Sequence, residues 1–195
     1  MVTEKGFDRG RGAEPRLARA RARLTRDRAS FLALLDASPP DASRRTSSGE
    51  GWSALEILEH LARTEHGVGV VLRAAVSGQP LPERVGTQAP RRVKLPWRWR
   101  LVLLSRGIGR ATSPRALTPQ PGRSAPEVRA MADKARQDLV TLVTLLTHPD
   151  AARLAQLRYP HPFLGDLDGI EWIEFLAAHE ERHLSQARAT LARLV

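Results

Sequence analysis

Apolar residues recur along most of the chain at intervals of three and four, the period of a helix with one buried face. Leu17, Leu24, Phe31, Leu34 and Leu35 form one such stripe and predict a first helix over 15–37, stopped by Pro39-Pro40. A polar link, "DASRRTSSGEG", separates it from "GWSALEILEHLARTEHGVGVVLRAAVSG". There Ser53 and Glu56 stand at capping-box spacing, each able to satisfy an unpaired amide of the first turn, with Trp52 and Ile57 at the staple positions. Leu58, Leu61, Val68, Leu72 and Ala75 carry this second face as far as Gly78. Ser124 and Glu127 repeat the box ahead of a third helix through Val128, Met131, Ala135, Leu139, Leu142 and Leu146, ending before Pro149. Asp168 and Glu171 head a fourth that runs nearly to Val195. No stretch reads as a convincing strand and no repeat is visible. The pattern predicts an all-α fold, a four-helix bundle with a long crossover between helices 2 and 3.

The crossover, 79–125, holds most of the prolines and a basic, tryptophan-bearing segment, "LPWRWRLVLLSRGIGR". A connection of this length is unusual inside one domain and lets the third helix run in either direction. A short helix is expected there, lying across the bundle with its Trp and Leu residues packed inward. At the other end of the chain, residues 1–14 are Gly- and charge-rich without periodicity and are expected to be flexible.

Composition narrows the chemistry. The chain of 195 residues has no cysteine, which excludes disulfides, thiolate metal sites and a cysteine nucleophile. No secretory signal is recognisable, and no run approaches the ~20 apolar residues that span a bilayer, so the expectation is a soluble cytoplasmic protein. The net charge of +10 invites a nucleic-acid reading. However, the basic residues are mostly arginines spread over the whole chain, aromatics are scarce, and no nucleic-acid-binding pattern is present. A solvated surface is the expectation instead.

The remaining signal is "EWIEFLAAHEERHLSQ", Glu171 to Gln186. His179 and His183, four apart, share a helix face with Trp172, Phe175 and Leu176, so both imidazoles point toward the core. Their spacing suits two nitrogens reaching one ion at about 2 Å. HEERH also matches the zinc-protease pattern, with Glu180 as base, but no third ligand follows His183 in "LSQARATLARLV" and no sheet is predicted to orient a peptide. His60, at the edge of the second helix's buried face, can complete a three-nitrogen site between helices, with Glu56 and Glu59 nearby as supporting carboxylates. Three protein nitrogens leave a coordination position open. Two hydrogen-bonded core histidines remain the alternative from geometry alone. His66 falls on another face, His148 at a helix C-terminus, and His161 in the turn "YPHPFLG", from which it can approach the site.

"GWSALEILEHLARTEH" together with "HPFLGDLDGIEWIEFLAAHEERHLSQ" resembles the DinB-like (DinB/YfiT) superfamily of metalloenzymes, over about residues 15–195. The resemblance rests on the tryptophan before the helix-two histidine, the HP-x-x-G turn and H-x-x-x-H-x-x-Q. It implies that the metal ligands are His60, His179 and His183, and that the fold is a four-helix bundle with a long second connection. It implies a divalent transition metal, zinc or nickel first, manganese or iron next. It also implies a metal-dependent enzyme acting on a small molecule, a transferase using a low-molecular-weight thiol such as bacillithiol or mycothiol. The alternatives are a metal-dependent hydrolase and a non-catalytic metal-binding or stress-associated interaction module. A homodimer is compatible with the resemblance. The arginines of the crossover, Arg91, Arg92, Arg98 and Arg100, are expected to attract an anionic thiol cosubstrate.

Overall fold

In the computed structural model, residues 12–44, 46, 51–83, 95–107 and 113–194 are described. Four long helices form the bundle: α1 (Ala13–Asp36), α2 (Ala54–Ser77), α4 (Ala125–Leu145) and α6 (Gly169–Ala192). Two short helices, α3 (Trp97–Ser105) and α5 (His148–Gln156), and a hairpin of β1 (Tyr159–His161) and β2 (Gly165–Leu167) complete it. Three of the starts are set locally as the sequence predicts. Ser53 with Glu56, Ser124 with Glu127 and Asp168 with Glu171 each form a reciprocal capping box.

The core is divided into two apolar compartments, and their membership gives the directions of the helices. One compartment joins Leu17 and Leu24 of α1, Val68 and Leu72 of α2, Leu139 and Val143 of α4, and Ile170 and Ile173 of α6. The other joins Phe31 and Leu35, Ile57 and Leu58, Val128 and Ala132, and Leu184 and Ala187. The first half of α1 therefore meets the first half of α6 and the second halves of α2 and α4. So α1 and α6 run one way and α2 and α4 the other. α2 packs chiefly on α4 and α1 on α6, with α2 and α6 also in contact. Parallel neighbours such as α2 and α4 need a return path of a full helix length, which the long crossover supplies.

Between the two compartments lies a layer that the sequence reading missed. Each bundle helix contributes one charge to it: the buried Arg28, Glu65 and Glu180 and the mostly enclosed Arg136. Arg28 donates to Glu180 at 2.7 Å and to Glu65 at 3.1 Å. Arg136 donates to Glu65 at 2.5 Å and to the other oxygen of Glu180, closing the ring. The remaining nitrogen of each guanidinium donates to backbone, Arg28 to the Ala132 carbonyl at 2.8 Å and Arg136 to the Leu24 carbonyl. Two positive and two negative charges thus cancel with a hydrogen-bond partner at every guanidinium nitrogen, the condition under which buried charges are tolerated.

Three further expectations need correction. A hairpin exists where no strand was predicted; its two strands have only three residues each and one contains Pro160, too short for an alternating pattern to show. His148 opens α5 rather than closing α4, because Thr147 and Asp150 start a new helix, the Thr147 amide donating to Asp150 at 3.0 Å. The crossover helix packs inward only in part: Trp97 and Leu104 rest on the core, whereas Trp99, Val102 and Leu103 are exposed. Its position is fixed by hydrogen bonds. The Trp97 indole donates to Glu174 of α6 at 2.6 Å, and Arg100 donates to the Leu164 carbonyl of the hairpin loop at 2.8 Å. Residues 1–11, most of the expected flexible N-terminus, lie outside the described residues. Among the described residues no helix is long and apolar enough to cross a membrane.

Candidate metal centre

α2 and α6 cross so that His60, His179 and His183 meet, all three buried. Nε2 of His179 lies 3.3 Å from Nε2 of His60 and 3.1 Å from Nε2 of His183. One ligand atom from each ring falls within 4.8 Å of the others. Nitrogens arranged tetrahedrally at 2.0–2.1 Å from a common zinc-type ion lie about 3.3 Å apart, so the spacing suits a shared cation.

The surroundings of the rings decide where the protons are. Nδ1 of His60 is 2.9 Å from the carbonyl oxygen of Leu117, which only accepts, so Nδ1 carries the proton and Nε2 a lone pair. Nδ1 of His183 meets Oε1 of Gln186 at 2.8 Å, with the same result. Outer hydrogen bonds of this kind orient histidine ligands in metal sites. Nδ1 of His179 is buried without a partner among the described residues, so no protein group fixes its tautomer. Burial lowers the pKa of all three rings: His60 below the ordinary value, His183 to about 3, and His179 well below it with further repulsion from His183 and His60. Neutral imidazoles with converging lone pairs are a cation-binding set; without a cation, a proton on Nε2 of His179 can satisfy only one of the two neighbouring nitrogens at a time.

The triad forms part of the wall of a cavity of about 640 Å³. Most of the remaining wall is apolar, with Trp52, Val71, Leu117, Phe163, Trp172 and Phe175 contributing from four parts of the chain. Trp52 leans on His60 at 4.8 Å between ring centroids, and Phe175 stacks on His179 at 5.0 Å.

The carboxylates expected to support the site are tied elsewhere. Glu56 is held in its capping box. Glu59 is buried but binds Arg63 at 2.8 Å, Arg123 at 3.1 Å and the Gln120 amide at 3.1 Å. Glu180, the base in a protease reading, has both oxygens on Arg28 and Arg136 and faces the bundle interior. Of the crossover arginines, Arg98 and Arg100 are not in the cavity wall, and Arg91 and Arg92 lie outside the described residues. Among the described residues, the arginine that lines the cavity is Arg182 of α6.

His66 is exposed, as its helical position requires. His161 is more than a turn residue: it ends β1, is buried, and lines the same cavity. Its ring packs against Phe163, Trp172 and Phe175, and burial pushes its pKa down to about 3. An unfolded histidine titrates near 6.5, so below that pH the unfolded chain takes up a proton that the native state refuses. Native stability therefore falls with pH between 6.5 and 3. Relative to His161→Gln, the wild type is expected to lose about 1.5 kcal/mol more between pH 6.5 and 5, read by denaturant unfolding. Equal losses would mean that the native ring is protonated.

Comparison with known proteins agrees with this architecture. An uncharacterized protein of Bacillus subtilis (strain 168), YuaE, is 27% identical over 142 residues, covering 72% of this chain and 78% of YuaE. The crystal structure of TT2238, a four-helix bundle protein, matches with a TM-score of 0.57 and 25% identity, covering 89% of this chain and 98% of that one. The family model of the DinB superfamily matches residues 23–187, from the middle of α1 to the last turns of α6. The chain belongs to the DinB superfamily.

Proposed function

We propose that this protein is a divalent-metal enzyme whose ion is held by Nε2 of His60, His179 and His183, and which transfers a low-molecular-weight thiol to a small electrophile bound in the adjoining cavity. One observation carries the reading: two of the three Nε2 lone pairs are fixed by acceptors at Nδ1, and all three Nε2 atoms converge at the cavity wall. When bound, a zinc- or nickel-type ion supplies Lewis acidity, lowering the pKa of a thiol or water that joins the three imidazoles.

The protein's own groups favour the thiol over water. Glu56, Glu59 and Glu180 are all committed to other partners, so none of these three stands ready as a general base. A nucleophile that is already acidic needs none, and a thiol titrates near 8.5. The chain has no cysteine, so that thiol comes from a cosubstrate. The apolar wall excludes water and orients the electrophile, while Trp52 and Phe175 keep the His60 and His179 rings from rotating.

Elemental analysis of the untagged protein tests the ion. About one transition metal per chain in the wild type and none in His183→Ala is the expected result. No bound metal in the wild type, with no uptake of added Zn²⁺ or Ni²⁺, overturns the reading.

A further inference from the structure

His161 is the fourth imidazole of the cavity wall and lies outside the triad. Its Nδ1 is 3.1 Å from the backbone amide of Phe163 and 3.1 Å from that of Leu164. Backbone amides only donate, so Nδ1 must be the unprotonated nitrogen and the ring's proton must sit on Nε2. The tight HP-x-x-G turn between β1 and β2 brings both amides to one atom, with Gly165 at a positive φ of 81° closing it. Nε2–H has no partner among the described residues and is not sealed inside the protein, so it opens onto the cavity that the ring lines. Phe175 lies between His161 and the triad, 4.6 Å from the His161 ring and 5.0 Å from that of His179.

A histidine held this way is a fixed donor. It cannot rotate without losing two amide hydrogen bonds. It cannot present a lone pair to the cavity without moving its proton onto an atom that already accepts twice. A buried donor facing a mostly apolar space rewards a ligand that brings an acceptor and penalises one that does not.

We propose that His161 is a positioning residue whose Nε2–H binds a carbonyl or carboxylate oxygen of the ligand, one aromatic ring along the wall from the metal centre. The site then selects small molecules with an acceptor oxygen at one end, an apolar or aromatic middle resting on Phe175, and the reacting atom at the triad end. The reacting-atom part rests on the metal reading above; the acceptor part does not.

The test uses the full-length protein and two probes of matched shape, 2-acetylnaphthalene and 2-isopropenylnaphthalene, titrated by calorimetry. The wild type is expected to bind the ketone about five- to tenfold more tightly than the hydrocarbon. His161→Leu is expected to bring that ratio to one. His161→Gln, which keeps an N–H at similar reach, is expected to restore most of it. Long-range ¹H–¹⁵N correlations on the wild type are expected to show the Nε2–H tautomer of His161, with its Nε2 proton shifting on addition of the ketone. Equal affinities in the wild type, a preference that survives in His161→Leu, binding of neither probe, or the Nδ1–H tautomer would each overturn the proposal. His183→Ala separates the two readings, since loss of the ion is expected to leave the ketone preference in place.

Discussion

Glu180→Ala is expected to destabilise the folded protein by about 3–5 kcal/mol, the usual cost of removing one member of a buried ion pair. The cost arises from what is left behind. Arg28 and Arg136 each lose a carboxylate oxygen, and both guanidinium groups remain in a layer enclosed by the two apolar compartments. Denaturant unfolding at neutral pH reads the effect. The metal content of the surviving folded fraction is expected to stay at the wild-type level, because Glu180 faces the ring rather than the triad. Replacing the whole layer at once, with Arg28→Met, Glu65→Leu, Arg136→Met and Glu180→Leu, is expected to be neutral or to stabilise by about 1–4 kcal/mol, since no charge is then stranded. A loss below about 1 kcal/mol for Glu180→Ala would mean that the four charges are not enclosed together.

Removal of the ion is expected to have the second large effect. Without a cation the three imidazoles share at most one Nε2 hydrogen bond at a time, whereas a ligand that binds only the native state stabilises it in proportion to the logarithm of its concentration over Kd. At free metal a thousandfold above Kd this is about 4 kcal/mol, which for a chain of this size is roughly 10 °C in Tm. Treatment with dipicolinate is expected to lower Tm by that order, and added Zn²⁺ or Ni²⁺ to restore it. His179→Ala should be indifferent to both treatments, because its centre lacks the nitrogen that the other two share. The fold itself is expected to survive chelation, since both apolar compartments are built without the triad. An identical Tm with and without chelator would remove the ion from the account.

Local signals carried most of the fold. The boxes at Ser53, Ser124 and Asp168 each involve residues three apart, so the starts of α2, α4 and α6 could be read directly. The burial of His60, His179 and His183 followed from which apolar neighbours share their face. What was not legible depends on other helices. Arg28 falls between Leu24 and Phe31, Glu65 between Leu61 and Val68, Arg136 between Ala132 and Leu139, and Glu180 between Leu176 and Leu184, three of them buried and Arg136 nearly so. Four charges interrupting four stripes was a visible signal, but their pairing appears only when the helices are placed side by side. The hairpin was missed because its order comes from packing on Trp172, whose indole donates to the Tyr159 carbonyl at 3.1 Å, rather than from its own pattern. The role of Glu59 was misread for a related reason: its partners Arg123 and Gln120 arrive from a loop at least 61 residues away in sequence.

The charged layer has a further consequence, one of axial register. Alanine- and leucine-rich seams such as those of α4 and α6 tolerate sliding, because one small or branched apolar side chain replaces another a turn later. A shift of α6 by one turn, about 5.4 Å, would carry Glu180 away from both arginines and put Leu184 or Leu176 in its place. The ring therefore acts as a detent that admits one axial setting of each helix. Since His179 and His183 ride on the same helix as Glu180, the pin that sets their height opposite His60 is an ion-pair layer with no part in the chemistry.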